Sequence, residues 1–404
     1  MSDSTVPPAP QGPAARTGDA LRRMTARSRD EEHRASTPLE LFFDLCFVVA
    51  VAQAGGRLVH AIADGHPGHG VSGYLTLFFA IWWAWMNFSW FASAYDTDDV
   101  PYRVTTLVQI VGVLLLAAGV PRAFDDGDFR LVAIGYAVMR LALVTQWLRA
   151  AQAARGEDEA GARTTAVRYA IGVTLCQVGW LALLLPYGAP PAWAFLVMAA
   201  AELAVPPLAE RTEPTSWHPH HIAERYGLFT IIVLGESVSA ATVAVQSAVD
   251  EHSALGDLLP IAAGGLLIVF SAWWIYFAVP IHDYLASNRE AFLWGYGHYA
   301  VFTSAAAIGA GLEIAVEQAV GSAHVSTRAA TWSVTVPAAA FLFTVWLLHS
   351  RHSKHGMAQQ LTLPVAALGV LACTWTGTHG VLWAGFVCAG AVVVGVSLQT
   401  REYV

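Results

Sequence analysis

Long apolar stretches separated by short polar segments recur along the chain after residue 36. A helix needs about 20 mostly apolar residues to cross the hydrocarbon core of a bilayer, so each stretch predicts a membrane-spanning helix, and about twelve are present. They lie near residues 40–62, 72–95, 103–121, 129–149, 166–186, 191–209, 221–245, 257–280, 291–316, 329–349, 359–376 and 380–398. The pattern therefore predicts an all-α polytopic membrane protein.

Composition supports the same class. Hydrophobic residues make up 55% of the 404 residues and charged residues only 13%, which is too apolar for a soluble globular protein. The net charge of −8 decides little, because the distribution of charge among the loops matters more in a membrane protein, and no nucleic-acid surface is visible. No Walker A sequence is present, which argues against ATP-driven transport by this chain, and no cofactor is indicated. The partners expected from sequence are the lipid bilayer and a small ion or solute, and the oligomeric state is left open.

Basic residues predict the orientation. Most of them fall in the tail and in alternate connections, which places them on one side of the membrane: Arg16, Arg22, Arg23, Arg27, Arg29, Arg34, Arg103, Arg149, Arg155, Arg163, Arg168, Arg211, Arg225, Arg289, Arg351, Lys354 and Arg401. The opposite connections hold only Arg122, Arg130 and Arg328. Because basic loops stay in the cytoplasm, both termini are expected there, in a multi-pass protein of the cell membrane.

Three regions follow from the pattern. Residues 1–36 are rich in Pro, Arg and acids and predict a disordered cytoplasmic tail, with a short surface helix over 19–34 as an alternative. Residues 37–210 and 211–404 hold six predicted spans each, and similar sequences open them: Glu40-x-Phe42 in the first and Glu224-x-Tyr226 in the second. Six spans return the chain to its starting side. The sequence thus predicts two same-orientation six-helix repeats, related by an axis along the membrane normal.

Two segments carry a resemblance to a known family. The first runs Leu39-Glu40-Leu41-Phe42-Phe43-Asp44-Leu45-Cys46-Phe47, and the second Glu224-Arg225-Tyr226-Gly227-Leu228-Phe229-Thr230-Ile231-Ile232-Val233-Leu234-Gly235-Glu236-Ser237. Both are similar to the signature segments of the bacterial low temperature requirement A family, from which Cys46 and Tyr226 depart slightly. The resemblance covers nearly everything after the tail and implies a polytopic membrane protein. The Phe-Phe-Asp of the first segment also resembles a Phe-Ser-Asp signature of six-span potassium channels.

Charged residues inside predicted spans are candidate functional residues, because burying a charge in lipid costs several kcal/mol unless it faces a partner, water or a pathway. Glu40 and Asp44, with Glu224 and Arg225 of the second repeat, are expected to form a cytoplasmic vestibule; N-terminal capping of the helix is the structural alternative. Glu236 lies about 18 Å along its helix from Glu224, near mid-membrane. The list of candidates for ion or proton coupling is Glu236, Glu202 and Arg140, where Arg140 and Glu202 could instead form a structural pair.

Polar residues nearer the other end of the first span predict an outer cavity. Gln53, Arg57 and His60 share one helix face there. His298 in the ninth span is either a satisfied core histidine or a proton relay. These residues and the carboxylates favour a secondary transporter or channel-like protein.

Two other functional classes remain open from sequence. His218, His220 and His221 precede Glu224 closely enough to hold a zinc ion, which would make the protein a membrane-embedded metal-dependent enzyme. A non-transporting scaffold or sensor linked to growth in the cold is the third hypothesis, and it needs neither flux nor metal.

Overall fold

A computed structural model describes residues 21–28, 31, 35–250, 255–351 and 356–400, and this part of the chain is helical with no strand. Twelve helices are long and apolar enough to cross a membrane, which confirms the predicted number. The helices are α1 (Pro38–Ala63), α2 (Pro67–Tyr95), α3 (Val100–Asp125), α4 (Arg130–Ala153), α5 (Ala160–Tyr187), α6 (Ala192–Ala209), α7 (Pro219–Asp250), α8 (Leu255–Phe277), α9 (Asn288–Ala319), α10 (Thr327–Val345), α11 (Met357–Ala372) and α12 (Gly380–Thr400).

Helix starts follow local capping chemistry. Thr37 precedes α1, its side chain accepts the backbone N–H of Glu40, and the Glu40 carboxylate accepts the N–H of Thr37. This capping box satisfies two donors that a helix N-terminus leaves unpaired. Ser287 and Glu290 form the same box before α9. The structural alternative for Glu40, helix capping, is therefore confirmed, although capping is only part of what this residue does.

Helix neighbours are similar in the two halves of the chain. In the first half α1 packs against α2 and α3, α3 against α4, α4 against α5, and α5 against α6. In the second half α7 packs against α8 and α9, α9 against α10, α10 against α11, and α11 against α12. The halves also differ, because α8 packs closely along α12 and α1 packs along α9.

The centre of the bundle lies around α2 and α9, which have the most buried spanning windows, whereas that of α12 is the least buried. Glycines allow close helix approach. At Gly112 of α3, an added Cβ would lie 2.6 Å from Cγ of Met139 on α4, so only glycine fits that crossing.

Part of the N-terminal segment contacts the helical bundle. The Arg27 N–H donates to the carbonyl of Ala94 over 2.9 Å, and Met24 is buried among the helices. Residues 21–28 are not helical, so the alternative surface helix is wrong for that stretch. Residues 1–20, 29–30 and 32–34 of the predicted tail lie outside the described residues, as do Lys354 and Arg401.

Candidate functional site

Three helices that begin at the same end of the bundle, α1, α7 and α9, pack against one another. We call the end with the first residues of α1 and α7 the proximal end, and the opposite end the distal end. Helical spacing of three or four residues places one line of side chains from each helix along this contact, here called the seam. The seam consists of Glu40, Asp44, Phe47, Val51 and Gly55 on α1, His221, Arg225, Phe229, Val233 and Glu236 on α7, and His298, Phe302, Ala306, Gly309 and Glu313 on α9.

Four ionisable side chains of the seam form a charge cluster near the proximal end: Glu40, Asp44, His221 and Arg225. All four are fully buried. His221 Nε2 lies 3.2 Å from Glu40 Oε2. Arg225 Nη2 donates to Asp44 Oδ1 over 2.6 Å. These two contacts join the start of α1 to the start of α7.

Helix α2 completes the cluster with uncharged donors and acceptors. Trp85 Nε1 donates to Asp44 Oδ1 over 2.7 Å, and Arg225 Nη2 reaches Ser89 Oγ over 3.2 Å. Sequence reasoning missed both residues, because hydroxyls and indoles inside a spanning helix are most often ordinary core residues.

The cluster differs from the expected vestibule. Glu40, Asp44 and Arg225 were expected to line an opening, but they are enclosed because they pair across the contact of α1 with α7. Only Glu224 of that set lines a cavity. This proximal cleft has a volume of about 350 Å³, and its polar lining includes His220, Glu224, His282 and His349.

An aromatic layer lies next to the charge cluster on the distal side. The ring of Trp85 stacks on Phe229 with centroids 4.4 Å apart, and Phe302 meets Trp85 edge-on at 5.5 Å. Phe229 and Phe302 are themselves 4.9 Å apart. Since all three rings are tightly packed and buried, this layer closes the seam to water between its two polar ends.

A distal cavity of about 220 Å³ follows the aromatic layer. Glu236 of α7 and Glu313 of α9 line it together with small residues, among them Gly55 and Gly56 of α1. Within the described part of the chain, no hydrogen bond or ion pair involves the Glu236 carboxylate, which is half-buried. No arginine or lysine lines this cavity. The cavity is therefore acidic, and Glu313, which the sequence analysis did not select, supplies half of that charge.

Arg140 and Glu202 pair with each other and not with Glu236. Arg140 Nη2 donates to Glu202 Oε2 over 2.5 Å, and both side chains are buried. Glu202 also accepts from Trp83 Nε1 and from the Tyr136 hydroxyl, each over 3.0 Å. The pair joins α4 to α6 beside α2, outside the seam, which agrees with the structural alternative for these two residues.

The predicted outer-cavity residues do not line the distal cavity. Gln53 is exposed, and Arg57 Nη1 instead pairs with Asp125 Oδ2 over 2.9 Å at the surface. His60 is exposed and interacts electrostatically with Glu313. The cavity lies on another face of α1, because Val51, Ala52, Gly55 and Gly56 are the residues of that helix turned toward α7 and α9.

His298 is a satisfied core histidine in this structure. Its Nδ1 lies 2.8 Å from the Trp294 carbonyl, and its Nε2 lies 3.0 Å from the Tyr276 hydroxyl. Both ring nitrogens thus have partners, and the surroundings are aromatic.

The three histidines proposed as metal ligands point to three different places. His218 Nε2 contacts the carbonyl of Glu31, the His220 ring lies 5.0 Å from that of His282, and His221 contacts Glu40. Among the residues that the structure describes, no three His, Cys, Asp or Glu side chains are placed to hold a metal ion. The three imidazoles diverge because His220 and His221, as neighbours on a helix, point about 100° apart.

Two buried acids outside the spans were also missed. Burial raises the pKa of Glu210 despite hydrogen bonds from Thr215 and Tyr169. For Asp99, burial acts in the same direction, but backbone N–H groups and the Arg149 guanidinium outweigh it, and the pKa is lowered. Asp99 is the N-cap of α3, and its side chain accepts the backbone N–H of Tyr102, so an N-cap pattern in the sequence could have identified it.

Comparisons with known proteins agree with the resemblance. The family model described as bacterial low temperature requirement A protein matches residues 35–397. A protein of Rhizobium meliloti (strain 1021), described as uncharacterized, is 29% identical over 262 residues, which are 62% of this chain and 60% of that protein. The chain thus matches about three fifths of the length of this relative. The match of the family model over most of the chain confirms what the two segments implied.

Proposed function

This chain belongs to the bacterial low temperature requirement A family of membrane proteins, and we propose that it moves a small cation across the bilayer along the seam, as a secondary transporter or channel-like protein. The observation that carries the proposal is the order of side chains along one line: a buried charge cluster, an aromatic layer and an acidic cavity. Buried ionisable groups in spanning helices are costly, and pathways are their commonest use.

The lining of the distal cavity favours a cation as the transported species. Two carboxylates, Glu236 and Glu313, line it, and among the described residues no arginine or lysine does; the volume of about 220 Å³ holds several waters or a partly hydrated monovalent cation. We assign Glu236 the main ligand role, because its carboxylate has no protein partner among the described residues. Arg140 and Glu202 hold α4 on α6 and support the bundle without touching the ion.

The structure corresponds to a closed state under this proposal. Phe229, Phe302 and Trp85 separate the distal cavity from the charge cluster. Transport therefore requires these rings to separate. Since Trp85 donates to Asp44, a change in the charge cluster is transmitted directly to the layer.

The proposed architecture has two repeats and cytoplasmic termini. The matching helix neighbours of α1–α6 and α7–α12 support two same-orientation units, 37–210 and 211–404. The excess of basic residues on the proximal side supports a cytoplasmic proximal end. The distal cavity then faces the outside of the cell membrane.

Flux in proteoliposomes tests the proposal. Purified wild type, Glu236→Gln and the control Asp126→Asn are reconstituted, and uptake is scanned over K⁺, Na⁺ and pH gradients. Asp126 is an exposed acid at the end of α3, so its loss should leave flux unchanged. We expect wild-type cation flux and a loss of at least tenfold in Glu236→Gln.

Two results would contradict the proposal. Equal flux in Glu236→Gln and wild type would remove the ligand role of Glu236. Folded wild-type protein without flux under every gradient would instead favour a scaffold or sensor.

A further inference from the structure

We propose that the charge cluster of Glu40, Asp44, His221 and Arg225 binds and releases one proton, and that this proton drives movement of the cation. The coupling role rests on the proposed function, whereas proton binding itself does not. The inference depends on three observations: the charge of the cluster, its unpaired atoms and its position behind an open cleft.

Without a bound proton, the cluster carries one negative charge. With the His221 imidazole neutral, the two carboxylates and the guanidinium sum to one negative charge, and one proton on the imidazole or on a carboxylate brings the sum to zero; all four side chains are fully buried. An isolated buried charge is expensive, so the cluster favours one compensating cation. A proton needs no space or additional ligands, and full enclosure therefore favours a proton over a metal ion.

Buried polar atoms without a hydrogen-bond partner mark the position to which we assign the proton. Glu40 Oε1 and Asp44 Oδ2 are buried without a hydrogen-bond partner, and so are Nε and Nη1 of Arg225. Burying a polar atom without a hydrogen-bond partner is costly. A proton on Asp44 Oδ2 removes the carboxylate charge beside Arg225. The guanidinium, which also interacts electrostatically with Glu40, is then free to turn its unused donors toward that residue.

Access to the cluster comes from the proximal cleft. His220 and Glu224 line this cleft, and His221, their neighbour on α7, contacts Glu40 behind it. His282 lies on the far wall, with its ring 5.0 Å from that of His220. A proton from water in the cleft is taken up at the His221 imidazole. It then passes to a carboxylate of the cluster, so that the carboxylate gains the proton that the imidazole loses.

The groups facing the cluster are few. Helix α1 contributes Glu40 and Asp44, and α7 contributes His221 and Arg225 with Glu224 at the cleft. Just before α7, His218 Nδ1 accepts the backbone N–H of His221 over 3.4 Å, and the Tyr226 ring meets Trp85 edge-on with centroids 4.9 Å apart. Neither of these two side chains is a carboxylate. Helix α2 presents only Trp85 and Ser89, which do not titrate. On α9 the nearest titratable group is His298, and the ring of Tyr226 lies against it, with centroids 4.8 Å apart. Proton uptake near this site is therefore assigned to the four cluster residues.

Infrared difference spectroscopy of the purified protein in nanodiscs tests proton binding without any need for transport. We expect a carbonyl band of a protonated carboxyl group that appears and disappears with pH, and that Asp44→Asn removes. The exposed Asp98, paired with Arg103, provides the control, because Asp98→Asn should leave the band unchanged. Trp85→Phe removes the donor to Asp44, so the band should persist at a shifted frequency, which covers the case in which Asp44→Asn does not fold.

Two outcomes would overturn the inference: no titrating band while the protein stays folded, or a band that neither Asp44→Asn nor Trp85→Phe alters. Proteoliposomes then test coupling. Asp44→Asn should lose at least tenfold of the cation flux driven by a pH gradient, whereas the control Asp98→Asn should keep it. Retained pH-driven flux would refute the coupling role, whereas failure of the proposed function appears separately, as no cation flux in wild type.

Discussion

The buried pair of Arg140 and Glu202 gives a quantitative test of whether these residues are structural. Arg140→Met leaves Glu202 charged and buried with only the Trp83 and Tyr136 donors, and Glu202→Gln leaves the guanidinium without its carboxylate. Breaking one side of a buried pair costs about 3–5 kcal/mol. Arg140→Met with Glu202→Gln removes both charges but keeps an amide oxygen for a donor, so we expect a loss of only about 2 kcal/mol.

Unfolding by SDS in mixed micelles, followed by tryptophan fluorescence, measures these costs. The two single losses together amount to about 6–10 kcal/mol, so the double variant should be about 4–8 kcal/mol more stable than that sum implies. The surface pair of Arg57 and Asp125 is the matched control, since its side chains are 30% and 52% exposed and such pairs contribute about 1 kcal/mol at most. Flux of the double variant should be retained. The reasoning would be refuted if the single variants lost no more stability than the control, or if the double variant lost as much stability as the two single variants together.

Three further predictions use the seam and the loop acids. Gly56→Leu should reduce cation flux without loss of stability, because Gly56 lies in the wall of the distal cavity and a Cβ added there meets nothing within 4 Å. The contrasting variant Gly112→Ala presses on α4 and should lower the free energy of unfolding by about 1–3 kcal/mol in the same SDS assay. Phe302→Leu thins the aromatic layer and should raise passive cation leak in proteoliposomes; unchanged leak would argue against a barrier there. The lowered pKa of Asp99 stabilises the folded state at pH values above the unfolded pKa of about 4, and this stabilisation is lost as the pH falls through the folded pKa. The difference in melting temperature between wild type and Asp99→Asn should therefore narrow as the pH is lowered from about 5 to below the unfolded pKa.

The membrane class and the number of spans could be predicted from the sequence, because length and hydropathy alone decide whether a segment can cross a bilayer. The family could be recognised from two short segments because their residue strings are specific to it. Local capping chemistry likewise fixes the start of α1 beside Glu40, which belongs to the first of these segments. Local patterns and chemistry specify such features without knowledge of the fold.

The partners of the buried charges depended on tertiary structure. Spacing alone allowed Arg140 to pair with Glu202 or with Glu236, and only the contact of α4 with α6 decides between them. Gln53, Arg57 and His60 share a face of α1, but periodicity cannot tell which face meets α7 and α9. Glu313 and Trp85 joined the site from helices far away in sequence. Helix periodicity determines which residues share a face, whereas the long-range packing of helices determines what that face meets, because the apolar surface of a spanning helix is equally compatible with lipid and with another helix.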